Sequence, residues 1–228
     1  MLKNIKESYQ HSYFLYLKLI IAGIIIGFIV GIIDTIFGRG LLLIGNIRKE
    51  YLYYLVPFLA LAGLLIVFIY KKFAGRAKKG MGLIFEVGHG IENEIPLKLV
   101  PIVSIATWIT HLFGGSAGRE GVAVQLGATI SHKFNKYFDF PNKSKIFLVI
   151  GMAAGFGGLF QTPIAALFFA LEVLTLGNLQ LYALLPAIVS SFVASWTSAF
   201  LGLEKFNHSL NTNFVVTPLT FVKFAILG

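Results

Sequence analysis

The chain has 228 residues, of which 57% are hydrophobic and only 13% are charged. A soluble domain of this length carries about a quarter charged residues, and here the apolar residues occur in long runs instead of alternating along the sequence. These features predict an integral membrane protein and exclude a water-soluble domain. Cysteine is absent, which excludes disulfides and thiolate metal sites.

The net charge of +9 indicates membrane orientation rather than a nucleic-acid partner. The basic residues flank apolar runs and form no stripe interleaved with aromatic residues. Lys3 and Lys6 precede the first apolar run, and five basic residues crowd the loop 71–79 after the second. Two spans separate these sites, so both lie on one side, which the positive-inside rule assigns to the cytoplasm. The segment Asp34–Tyr51 is then an external loop, and the loop 71–79 has lipid-headgroup binding as a compatible alternative role.

The apolar runs predict an all-α protein with several membrane-spanning helices. A helix needs about 20 apolar residues to cross the hydrocarbon core. The first two runs have this length and the first is too long for a signal peptide, whereas most of the later segments are shorter or are interrupted by glycine and proline. The segments are Tyr13–Ile33, Leu52–Tyr70, Leu97–Phe113, Lys145–Leu176, Leu179–Leu203 and Phe214–Gly228.

Glycine clusters in the second half of the chain predict broken helices. Irregular backbone is tolerated in a bilayer only where it is buried in protein or lines a cavity. Helix starts that meet there aim N–H groups and a positive dipole end at an anion. Close helix packing is the alternative explanation for any one cluster. The clusters are Gly80/Gly82, Gly88/Gly90, Gly114/Gly115/Gly118/Gly121 and Gly151–Gly158.

Three acidic residues are candidates for a functional role. Glu120 and Glu172 lie within apolar surroundings, and Asp34 lies at the end of the first span. An ionisable group at membrane depth costs a few kcal/mol or more, so function is the default hypothesis. Glu120 follows a Gly-rich turn and is predicted to begin a helix over Gly121–Ser131. Glu172 has no turn beside it, and a packing interface or a basic partner is the alternative.

The residues do not favour an enzyme or a metal site. Ser116 with His111 or His89 could suggest a hydrolase, but no strand-to-helix nucleophile elbow is predicted around Ser116 and no third partner is evident. The five histidines lack paired metal-ligand spacing. We therefore expect neither catalysis nor a cofactor.

Three motifs in the correct order resemble the CLC family of chloride channels and proton-coupled anion antiporters. GREGVAVQLG resembles its GREGP-type motif, and Lys79–Ile84 resembles its GSGIP loop. Gly151–Glu172 resembles its glycine/alanine-rich helix pair. The resemblance covers about residues 79–174. It implies broken and tilted transmembrane helices, with residues 1–228 as the N-terminal half of an inverted-repeat transport domain whose second repeat is absent from this chain.

Departures from the family motifs refine the expected ion. Met81 replaces the serine of the GSGIP loop, Ile84 its proline, and Val122 the proline after GREG. Val173 replaces the second acid of a Glu-Glu pair. These features resemble the fluoride-specific branch, whose members exchange fluoride for protons. We expect a fluoride/proton antiporter. A chloride channel or chloride/proton antiporter, and a truncated non-transporting membrane subunit, are the alternatives.

The resemblance also implies which residues bind the anion and which one couples it to protons. Glu120 is the gating and proton-coupling glutamate, since its charged form competes with the anion and its protonated form swings away. Arg119 is expected to stabilise the turn or to pair with a carboxylate. The expected partners are fluoride or chloride, protons, the lipid of a bacterial plasma membrane and, in the complete protein, a second copy. The anion-binding residues are Gly80, Met81, Gly82, Gly118, Arg119, Gly121 and Val122.

Overall fold

The computed structural model describes residues 2–174, 181–205 and 217–227, with side chains from residue 14 onward except at 219 and 227. All regular elements in these ranges are helices. Three helical stretches there are long and apolar enough to cross a membrane, namely 14–88, 143–160 and 181–200. The α-helices are α1 Leu2–Leu55, α2 Leu59–Ile69, α3 Met81–Gly88, α4 Leu99–Leu112, α5 Glu120–His132, α6 Lys143–Phe160, α7 Pro163–Val173, α8 Leu184–Phe200 and α9 Pro218–Leu227. The predicted class, an all-α membrane protein with broken transmembrane helices, is confirmed.

The first helix extends far beyond the first predicted span, so the prediction of an external loop over Asp34–Tyr51 is wrong. Helical geometry continues to Leu55, and within α1 only Tyr51 leaves it, with φ −111° and ψ 22°. The segment contains no proline, and it buries Phe37 and Leu41 in an apolar cluster. Tertiary packing of this face stabilises the helix beyond the length that a bilayer requires.

The chain reverses direction near the kink at Tyr51. α1 runs parallel to α4, whereas the segment 56–75 returns antiparallel to it, so the two N-terminal spans cross in opposite directions. The contacts that define these directions are Phe37–Trp108 and Arg48–His111 between α1 and α4, and Val56–Gly114 and Gly75–Lys98 between the returning segment and the residues at either end of α4.

A stripe of glycines on α1 brings α8 into close contact. Gly23, Gly27 and Gly31 recur every four residues, which is a usual spacing at close helix crossings in membranes. A Cβ atom added at these glycines would lie 2.5 to 2.8 Å from carbonyl oxygens of α8. The oxygens belong to Pro186, Ser190 and Ala194.

A second glycine crossing joins α5 to α6, which run antiparallel. A Cβ added at Gly127 would overlap the Gly151 carbonyl oxygen, and one added at Gly155 would overlap the carbonyl oxygen of Ala123. At the far end of the crossing, the Ser131 hydroxyl donates to the Phe147 carbonyl at 2.5 Å. Close packing therefore explains the glycines at 151 and 155.

The apolar segment Lys145–Leu176 is broken into two helices, as predicted. α6 ends before Gln161, which has φ +54°, and α7 begins with Pro163 in its first turn. Parts of the last three predicted spans lie outside the described residues, namely 175–176, 179–180, 214–216 and 228.

Candidate anion site

Glu120 is the first residue of α5, in agreement with the predicted helix start. The turn before it is held by a hydrogen bond between His111 Nε2 and the Ala117 carbonyl at 3.1 Å. The carboxylate folds back over Gly118, where an added Cβ would lie 3.4 Å from Glu120 Oε2. The Glu120 side chain is exposed, so it has room to change its position.

The second predicted anion-binding segment also lies at a helix start. α3 begins at Met81, and Gly80 precedes it with φ +54° and ψ −125°, a conformation that glycine adopts readily. The Gly80 N–H donates to the Ala77 carbonyl at 3.0 Å. Met81 is half-buried and packs against the larger core cluster, while Gly82 is exposed in the first turn of α3.

Gln125 connects the starts of α3 and α5. Its Nε2 donates to the Gly121 carbonyl at 3.0 Å, and its Oε1 lies 3.4 Å from the position of a Cβ added at Gly80. This oxygen is buried, and no described residue donates a hydrogen bond to it. The sequence analysis did not select Gln125. A polar residue one turn after Gly121 in an apolar helix is the signal that could have indicated it.

Arg119 and Val122 have different surroundings although both flank the helix start. Arg119 is half-buried and lines a cavity of about 430 Å³, together with the basic residues Arg48, Lys49 and Lys205 and one acid, Glu204. Such an excess of positive charge raises the local concentration of anions. Val122 is 6% exposed and packs in the apolar cluster of Phe37.

Ion pairs anchor the basic loop that precedes α3. Lys79 Nζ lies 2.6 Å from Glu86 and 3.3 Å from Glu92, and Arg76 lies 3.3 Å from Glu92. Glu94, in the segment that follows α3, pairs at 2.5 Å with the ammonium group of Lys133, which lowers the pKa of the Glu94 carboxyl group. Part of the positive charge near Gly80 is thus neutralised by acids of the following segment.

Of the three candidate acids, the buried one is Asp34, and both glutamates are exposed. Glu120 and Glu172 have exposed side chains, whereas Asp34 is 0% exposed. The expectation that Asp34 ends the first span is wrong, because α1 continues past it and packs it against α6. No ion pair of Glu172 is present in the described part of the chain, so a basic partner for it is not found there.

The sequence profile of the family described as voltage gated chloride channel matches residues 62–228. This chain belongs to the voltage-gated chloride channel family. The resemblance to CLC proteins is thereby confirmed, and the family consists of channels and transporters, not enzymes. A "Chloride/fluoride channel protein" of Pseudomonas syringae pv. tomato is 36% identical over 137 residues, which are 60% of this chain and 30% of that protein.

Two further relatives of the voltage-gated chloride channel family are informative. A voltage-gated ClC-type chloride channel of Salmonella dublin is 33% identical over 100 residues, covering 44% of this chain and 24% of that protein. The crystal structure of a CLC-type fluoride/proton antiporter matches with a TM-score of 0.83 and 46% identity. The match covers 94% of this chain and 54% of the antiporter chain. This chain therefore spans about half the length of the antiporter and a smaller share of the other two relatives.

Proposed function

We propose that this chain supplies the N-terminal half of a transporter that exports fluoride in exchange for protons. The observation that carries the proposal is the contact between Gln125 and Gly80, which sets the start of α3 beside the helix that begins at Glu120. A similar chain, 46% identical, is a fluoride/proton antiporter. We further propose a bacterial plasma membrane, a cytoplasmic N-terminus and a homodimer of the complete protein.

The mechanism follows from the chemistry of two helix starts and one carboxyl group. Backbone N–H groups near Gly80–Gly82 and Gly118–Gly121 replace the water that fluoride loses, and the helix dipoles favour its charge. The charged Glu120 side chain competes for the same positive region. An anion close to the carboxylate favours its protonated form, because like charges disfavour ionisation. The protonated side chain then leaves the site, and alternate occupancy moves fluoride and protons in opposite directions.

Fluoride efflux from liposomes tests the proposal. The chain is reconstituted with a polypeptide that supplies the second inverted half, and released fluoride is followed with a fluoride electrode. We expect efflux from these vesicles and none from vesicles that contain this chain alone. The absence of efflux when both halves are assembled would favour a non-transporting subunit instead.

The second candidate is a chloride channel or chloride/proton antiporter, which the Salmonella relative supports. The residue that distinguishes the two ions is Met81, since a serine hydroxyl donates a hydrogen bond to chloride and a thioether cannot. The same liposomes loaded with chloride decide between the candidates by the ratio of the two efflux rates.

Met81→Ser is expected to raise the chloride rate relative to the fluoride rate. One added neutral hydrogen bond contributes about 0.5–1.5 kcal/mol, so the ratio is expected to rise roughly two- to tenfold. Met81→Leu is the matched control, because it changes the packing without adding a donor. Equal ratios of chloride to fluoride efflux in the two variants would show that Met81 contributes only to packing and not to ion selectivity.

Gln125→Leu is expected to slow fluoride efflux about tenfold, because it removes the polar side chain beside Gly80 while keeping a similar volume. The matched control is Thr129→Val on the same helix. Thr129 is also fully buried, and its hydroxyl has no partner among the described residues. Efflux at the unmodified rate in Gln125→Leu, or an equal loss in both variants, would remove Gln125 from the anion site.

A further inference from the structure

The carboxyl group of Asp34 is buried in the described chain without a hydrogen-bond partner. The residue is 0% exposed, and neither Oδ1 nor Oδ2 bonds to any described residue. Asp34 lies on the inner face of α1, between the buried side chains of Val30 and Phe37. Buried polar groups are normally hydrogen-bonded, so this one calls for an explanation.

The carboxyl group lies at the junction of α1, α6 and α8. Its Oδ2 contacts the backbone at Gly158 of α6, and the side chain of Ala194 of α8 lies at the same place. The absence of a side chain at Gly158 makes room for the carboxyl. One turn before Asp34, Gly31 contacts Thr197 of α8, whose hydroxyl oxygen is also buried and unpartnered among the described residues.

Among the described residues, no charged group forms an ion pair with a carboxylate at this position. α8 contains no charged residue, and the only charged residues of α6 are Lys143 and Lys145 in its first turn. Arg39, further along α1, is exposed and donates to the Leu201 carbonyl. The other helices packed on α1 are α4 and α5, and none of their titratable residues hydrogen-bonds to Asp34. These residues are His111, Glu120 and His132.

We infer that Asp34 is a proton-binding site, a neutral carboxyl group held between α1, α6 and α8 and separate from Glu120. A carboxylate at membrane depth with neither counter-ion nor donor costs several kcal/mol, whereas the neutral acid avoids this cost. The protonated group can also donate a hydrogen bond, for example to an unpartnered oxygen such as that of Thr197. This inference stands independently of the ion that the protein moves.

Release of this proton requires that α1 separate from α6 at Gly158. α6 is also fixed to α5 through the crossing of Gly127, Gly151 and Gly155. A movement of α6 away from α1 at Gly158 would therefore also displace α5, the helix that begins at Glu120. The Asp34 site is linked to the candidate anion site through one shared helix, α6.

The sequence permits a direct test, because Asp34 and Asp139 are its only aspartates. The full chain is purified with carboxyl-¹³C aspartate, and its infrared spectrum is recorded at neutral pH. Asp139 has a fully exposed side chain 3.9 Å from Lys143, so it gives a carboxylate band. We expect a second, labelled band at the position of a neutral carboxylic acid. Asp34→Asn should abolish the neutral-acid band and leave the carboxylate band.

Asp139→Asn is the control and also the decisive sample if Asp34→Asn fails to fold. It leaves Asp34 as the single labelled aspartate, so its spectrum should show the neutral-acid band and no labelled carboxylate band. A labelled carboxylate band in Asp139→Asn at neutral pH would overturn the inference.

Discussion

Glu120→Gln is expected to abolish the coupled movement of protons while fluoride still passes through the protein. Glutamine keeps the size of the side chain and its place at the start of α5, but it can neither take up nor release a proton. The exposed position of Glu120 means that no core packing is lost. The fold should therefore remain intact, and the effect on coupling should be a complete loss rather than a partial one.

The measurement follows fluoride with an electrode and protons with a pH probe in the same liposomes. Glu172→Gln is the matched control, because Glu172 is also an exposed glutamate on an apolar helix. It should retain coupling. Coupled proton uptake that survives in Glu120→Gln would show that another residue carries the proton.

Gly155→Ala is expected to prevent stable folding. The added Cβ would overlap the backbone oxygen of Ala123 and lie 2.9 Å from its carbonyl carbon and 3.2 Å from the Gly127 nitrogen. These are backbone atoms and cannot rotate away as a side chain can. Overpacking by extra methylenes typically costs about 1–3 kcal/mol. A clash with the backbone in the centre of the α5–α6 crossing should exceed that range.

Gly63→Ala is the control for the glycine crossing. Gly63 lies in α2, and an added Cβ there has no neighbour within 4 Å. In a helix interior this exchange should stabilise by about 0.5–1 kcal/mol. Thermal unfolding in detergent, monitored by circular dichroism, compares the two variants. A midpoint for Gly155→Ala equal to that of the unmodified chain would contradict the packing of α5 on α6.

Local signals in the sequence were sufficient to predict where the candidate site begins. The Gly-rich turn before Glu120 and the glycine before Met81 each indicate a helix start, because glycine adopts the backbone angles that end one segment and permit the next. The break between α6 and α7 was likewise visible, since Pro163 is favoured in the first turn of a helix and kinks or breaks a helix interior.

The features that could not be predicted depend on contacts between distant segments. The sequence of α1 suggested one span and a loop, because hydropathy does not show that Phe37 stacks on Trp108 of α4 and lies in one apolar cluster with residues of α5 and α6. The burial of Asp34 depends on the missing side chain of Gly158, more than a hundred residues away. From the sequence, Gln125 is only one polar residue in an apolar helix. Its position next to Gly80 is created by the packing of α3 on α5. Each of these is a property of the tertiary structure and not of a local pattern.

The central claim is tested most directly by the direction in which protons move when fluoride leaves a liposome. Vesicles with this chain and a second half are loaded with fluoride, the membrane voltage is clamped, and the external pH is recorded. Exchange moves protons inward as fluoride leaves, so the account predicts that the exterior becomes alkaline, and that Glu120→Gln removes this change. Leakage of hydrogen fluoride carries protons outward with fluoride and would acidify the exterior. Fluoride efflux without any inward proton movement would contradict the account.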